Sequence, residues 1–210
     1  MQEIAALAGL IGALAVGTVS PGPSFVMVAR LAVATSRANG LAAAAGMGAG
    51  GVLFAVAALL GLQAVLLAVP SVYLALKVLG GLYLGYLGVR IIRAAKVSLA
   101  VEASGQGRPT SVSRSCWLGF TTQVSNPKTA IVYASVFAAF LPGNFSALFA
   151  GVLVSVVFVI EAGWYAIVAT MLSSNGPRRA YLDCKTWVDR AAGLVMVGLG
   201  LKLVASAHEA

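Results

Sequence analysis

Two short stretches of this chain carry residues suited to binding a small charged molecule. Ser20, Pro21, Gly22 and Pro23 stand together in "TVSPGPSFV", and Gln123, Asn126, Pro127 and Lys128 in "TTQVSNPKTA", each inside a long apolar run. Pro21 and Pro23 have no N–H, so the carbonyls of Gly17 and Val19 lose their helical partners. Ser20 and Gly22, each preceding a proline, are pushed away from helical dihedrals. Pro127 likewise frees the Gln123 carbonyl and biases Asn126 towards extended geometry. A broken helix offers free N–H groups to an anion and free carbonyls to a cation. A zwitterionic amino acid carries one charge of each sign, and two opposed breaks can hold both ends. A single proline usually only kinks a membrane helix. The recurrence of the element in "SPGP" and "SNPK" points to a functional break instead.

Four charges fall inside apolar runs: Lys77, Lys128, Glu161 and Lys202. Charge at membrane depth is costly and marks a function by default. Glu161, in "VFVIEAGWYA", can accept a substrate ammonium or carry a coupling proton; its structural alternative is an ion pair with a buried lysine. Lys128 can bind a carboxylate or neutralise Glu161. Lys77 and Lys202 lie near span ends and read as snorkelling, structural residues. Trp164 and Tyr165 can wall a pocket beside Glu161 or pack between spans, and Tyr83 and Tyr86 read as packing or interfacial residues.

These groups must be positioned by membrane helices. Of 210 residues, 60% are hydrophobic and 10% charged, more apolar side chain than a soluble domain of this size can bury. The charge-free runs 4–29, 38–76 and 129–160 each exceed the roughly 18 residues that mark a crossing. The expected fold is an all-α integral membrane protein of six transmembrane helices: Ile4–Ala29, Leu41–Leu67, Val72–Ile91, Trp117–Leu141, Phe145–Leu172 and Thr186–Ala205. The run from Ala38 folds into a hairpin at "GLQAVLLAVPS", with Gln63 and Pro70 marking the turn. "MQEIAALAGL" lacks the basic region of a cleavable signal and reads as a retained first span.

Lys and Arg alternate among the connections. Arg30 and Arg37 are in the first; Arg90, Arg93, Lys96, Arg108 and Arg114 in the third; Arg178, Arg179, Lys185 and Arg190 in the fifth; the second and fourth have none. Connections one, three and five are therefore expected in the cytoplasm and both termini outside. The net charge of +8 expresses topology rather than nucleic-acid binding.

"KVSLAVEASGQGRPTSVSR", rich in Ser and Gly, reads as a flexible linker. It divides a single transporter domain, residues 1–210, into a first repeat over about 1–96, a cytoplasmic linker over about 97–114 and a second repeat over about 115–210. Sliding Val19-Ser20 onto Val124-Ser125 lays Pro21-Gly22-Pro23 on Asn126-Pro127-Lys128 and Asn39 on Asn144. Nearer the ends of the halves, "GLYLGYLG" matches "GLVMVGLG", and Arg90 falls on Lys202. Three crossings per half reverse direction, so the arrangement is an inverted 3+3 repeat, an architecture of secondary transporters. The glycines of "VLGGLYLGYLG" and "GMGAGG" suit close helix packing.

Other chemistries lack their residues. His208 is the only histidine, so no His-based metal site or catalytic triad is expected. One buried acid argues against divalent-cation transport. Cys116 and Cys184 lie at cytoplasmic span ends, away from both breaks, which disfavours a thiol–disulfide carrier. No cofactor or enzymatic nucleophile–base set is expected. The alternative of another class is a non-transporting module, a redox carrier or assembly scaffold. A homo-oligomer is compatible with the sequence.

In order, "SPGPSFV", "LKVLGGLYLGYLGVRIIR", "GFTTQVSNPKTAIVY" and "GLVMVGLGLKLV" resemble the LysE/RhtB family of bacterial amino-acid exporters over nearly the whole chain. The resemblance implies a six-span inner-membrane protein that exports amino acids or derivatives by the proton-motive force. It points to Pro21, Gly22, Pro23, Asn126, Pro127 and Lys128 as site residues. Lysine-exporting members have an acid early in the second span, where this chain reads "GMGAGG". The resemblance therefore implies threonine, homoserine or leucine rather than a dibasic substrate.

Overall fold

The structure, a computed structural model, describes residues 2–20, 22–68, 70–96 and 111–205. Pro21, most of the linker (97–110) and His208 lie outside the described residues, as do the side chains of Lys77, Arg178 and Arg179. The described residues form eight helices and no strand: α1 (Gln2–Val19), α2 (Pro23–Ala34), α3 (Arg37–Ala68), α4 (Pro70–Ala94), α5 (Val112–Val124), α6 (Pro127–Phe140), α7 (Ala147–Leu172) and α8 (Asn175–Ala205). Three of them, α1, α3 as far as Gly61, and α7, are long and apolar enough to cross a membrane, while α2 and α6 are shorter apolar helices. This is an all-helical, multi-pass membrane protein.

Local chemistry sets the helix ends. The expected first and fourth spans are each two helices, because α2 and α6 both begin at a proline, whose missing N–H is harmless at a first helical position. Ser146 accepts from the Phe149 N–H at 3.1 Å at the start of α7, and Ser36 accepts from the Asn39 N–H at 3.1 Å at the start of α3. Both are side-chain caps for otherwise orphaned donors.

α3 runs through Gln63 to Ala68 and α4 starts at Pro70, close to the expected span ends at Leu67 and Val72, but Gln63 is helical rather than part of the turn. One expected start is corrected. α8 begins at Asn175 rather than Thr186. The basic stretch read as a connection is helical, with Pro177 in its first turn, where proline is tolerated.

Packing places α3 between α5 and α7, and lays α4 along α8. A Cβ on Gly46 would strike the Cys116 carbonyl, and one on Gly119 the Ala43 carbonyl, so α3 and α5 touch backbone to backbone. On α4 and α8, Gly81 faces Gly200 and Gly88 faces Gly193 in the same manner. The apolar core has two parts. One gathers Leu10, Leu14, Leu84, Phe137, Leu153 and Met196; the other gathers Phe25, Val28, Met47, Tyr165 and Val168. At the level of the helix breaks the interior turns polar, with Thr18, Ser20, Ser24, Gln123, Asn126, Thr129 and Glu161 all buried.

Candidate functional site

That polar level is built by the two breaks facing each other. Gly22, in extended backbone, is the N-cap of α2 and provides no side-chain cap. Asn126 caps α6, its Oδ1 accepting from the Lys128 N–H at 3.0 Å. Its Nδ2 donates to Ser24 Oγ at 2.9 Å, and Ser24 Oγ donates to Gln123 Oε1 at 3.0 Å. This relay joins the start of α2 to the end of α5 and the start of α6. Lys128 Nζ donates to the Ser20 carbonyl, beside the first break. The second break thus satisfies a backbone carbonyl of the first, as buried backbone requires.

Glu161 enters this level from α7 and is 3% exposed. Its Oε1 accepts from Thr18 Oγ1 at 3.1 Å and from the Tyr133 hydroxyl at 3.0 Å. Among the described residues its Oε2 has no hydrogen-bond partner, and neither does the buried Ser20 Oγ. Both residues line a small cavity of about 20 Å³ together with Gly22, Ser24, Gln123, Asn126, Lys128 and Tyr165. Gly51 lets α3 close over this carboxylate, because a Cβ there would lie 2.9 Å from both Glu161 Cγ and the Tyr133 oxygen.

A larger cavity of about 360 Å³ adjoins the first and shares Gly22, Asn126 and Lys128 with it. Pro23, Pro127, Tyr83, Arg90, Lys185 and Asp189 also line it. Lys128 stands between the two spaces. An ammonium is matched in the smaller cavity by Glu161 Oε2 and Ser20 Oγ; an anion is matched at Lys128 and the uncapped start of α2.

The structure brings Ser20, Gly22, Gln123, Asn126, Lys128 and Glu161 to one cavity and places Pro23 and Pro127 on its neighbour. Tyr165 walls the smaller cavity and Trp164 does not. No salt bridge joins Lys128 to Glu161 among the described residues, and the Lys128 ammonium donates to a carbonyl. One expectation is corrected. Glu161 is not the sole buried acid: Asp189, within α8, is 3% exposed and paired with Lys185 at 2.6 Å. Tyr83 packs against the apolar core and the Tyr86 ring and also borders the larger cavity.

Reasoning from sequence missed Thr18, Ser24 and Tyr133. Thr18 and Ser24 lie within "TVSPGPSFV" itself, so proximity to the prolines was a usable signal; Tyr133 had none. Lys202 stacks over the Phe140 ring at 5.2 Å, outside the polar level. Among the described residues no group of His, Cys, Asp and Glu is arranged to hold a metal, and Cys116 and Cys184 are free thiols.

Residues 15–207 match the family described as LysE type translocator. The chain is 31% identical over 192 residues to the threonine efflux protein of Escherichia coli (strain K12), spanning 91% of this chain and 93% of that one. It is 28% identical over 191 residues to an uncharacterized membrane protein of Haemophilus influenzae, covering 90% of each. It is 28% identical over 137 residues to the leucine efflux protein of Klebsiella pneumoniae, covering 64% of this chain and 62% of that one. No solved structure matches the chain.

Proposed function

The chain belongs to the LysE type translocator family, and from that premise we propose that it is a secondary transporter exporting small neutral amino acids across the bacterial inner membrane. The observation that carries this reading is the Glu161 carboxylate. It is buried, joined to no lysine by a salt bridge among the described residues, and shares a cavity with Lys128 and two broken helices that offer groups of both polarities. In this reading the substrate ammonium binds Glu161 Oε2 and Ser20 Oγ, while its carboxylate takes the Lys128 ammonium from the Ser20 carbonyl. Protons are the coupling ion and Glu161 their carrier, loaded when substrate leaves.

Six crossings in an inverted 3+3 repeat are supported by the glycine contacts. The matched frames equate Gly81 with Gly193 and Gly88 with Gly200. The contact of Gly81 with Gly200 then becomes, under the repeat, that of Gly193 with Gly88, which is the second contact found. A two-fold axis between α4 and α8 in the membrane plane accounts for both. With both termini outside, the larger cavity, flanked by Arg90 and Lys185, faces the cytoplasm, as an exporter awaiting cargo requires.

Threonine-like substrates are favoured over lysine. The relatives named for threonine efflux cover this chain almost end to end, and α3 presents Gly51, not a second carboxylate, to Glu161. A panel of labelled amino acids in cells overproducing the protein tests the reading. Efflux of threonine, homoserine or leucine is expected; no accelerated efflux of any amino acid would refute it.

A further inference from the structure

Asp189 and Lys185 belong to none of the assignments above. They form an i,i+4 pair on α8, and Lys185 Nζ also donates to the Ala95 carbonyl at the end of α4 at 3.2 Å. As a purely structural bridge the pair is incomplete. Asp189 Oδ2 takes the lysine, but the buried Oδ1 has no hydrogen-bond partner among the described residues. A buried carboxylate oxygen left unpaired is expensive. Asp189 nevertheless lines the larger cavity, with Arg90 on α4 and Lys128 beside it.

We propose that this cavity holds a loading site for a zwitterionic α-amino acid, in which Asp189 Oδ1 accepts the substrate ammonium and Arg90 and Lys128 receive its carboxylate. This rests on the export reading and adds a station before Glu161. Lys185 competes for Asp189 and weakens the station, so cargo is held loosely enough to pass on. From there the ammonium moves past Gly22 and Asn126, which border both cavities, to Glu161.

The two partners of the bridge therefore have opposite effects on loading. In inside-out membrane vesicles, initial rates of labelled threonine uptake are measured against threonine concentration. Asp189→Asn should raise KM about tenfold with kcat within about twofold of wild type. Lys185→Gln, whose amide can still donate to the Ala95 carbonyl, should lower KM. A merely structural bridge moves both variants the same way, and that result, or an unmoved KM in both, overturns the loading site. If Asp189→Asn does not accumulate in the membrane, Lys185→Gln decides alone: a lowered KM supports the site, and an unchanged or raised one overturns it. Wild-type vesicles that carry no amino acid would overturn the export reading as well, whereas wild-type flux with unmoved KM values defeats the loading site only.

Discussion

The Lys128 ammonium, on the first turn of α6, donates to the backbone carbonyl of Ser20, at the end of α1. One broken helix is thereby fastened to the other through a charge and a carbonyl that a continuous helix would not expose. In the proposed cycle this contact is exchanged for a substrate carboxylate.

Lys128→Met should therefore cut the efflux rate by at least about tenfold, since a hydrogen bond to a charged group contributes about 1.5–3 kcal/mol. The protein should still insert. Efflux assays normalised to the amount of protein in membranes check this; a wild-type rate would show that the lysine has no part in transport.

Ser24→Ala removes the hydroxyl that links Asn126 Nδ2 to Gln123 Oε1. Two buried polar groups lose a partner, each at about 1–3 kcal/mol. A lower midpoint of thermal unfolding in detergent is expected. Ser24→Thr, which keeps the hydroxyl, should recover part of it.

How far such residues can be found from sequence follows from how local their chemistry is. Proline acts on its own backbone, so "SPGP" and "SNPK" located both breaks without tertiary information. Glu161 was equally plain, because a carboxylate in an apolar run is too costly to be kept without a role. Ser24 acquires its role only when α2 meets α5 and α6, and Thr18 and Tyr133 only when α1 and α6 meet α7. Hydroxyls are common in helices and carry no periodic signature. Asp189 was hidden differently: "RRAYLDCKTWVDR" is charged enough to read as a connection, although the expected span from Thr186 already contained Asp189. Pairing with Lys185 four residues earlier, one helical turn away, was legible in principle.

Glycine substitutions separate packing from chemistry. Gly46→Ala pushes a methyl group into the Cys116 carbonyl, and overpacking of this kind costs about 1–3 kcal/mol; reduced accumulation in membranes is expected. Gly51→Ala crowds Glu161 and Tyr133 instead, so export should fall more than accumulation. Gly151→Ala, with nothing within 4 Å of its Cβ position, should alter neither. Western blots and efflux rates on the same cultures resolve the three outcomes.

Glu161→Gln keeps the shape and an acceptor oxygen for Thr18 and Tyr133 but cannot carry a proton. Uphill threonine transport driven by an imposed pH gradient in proteoliposomes should disappear in this variant. Retention of the full pH dependence would assign proton coupling to another group.

The two breaks and Glu161 are proposed to form one site jointly, and threonine counterflow in proteoliposomes tests this most directly. Counterflow needs binding and alternation but no net coupling, so it reports on the site alone. Wild-type protein loaded with unlabelled threonine should accumulate labelled threonine transiently, while Pro127→Ala, Asn126→Ala and Glu161→Ala, each inserted normally, should show less than about a tenth of that exchange. Wild-type exchange in all three variants would contradict a shared site.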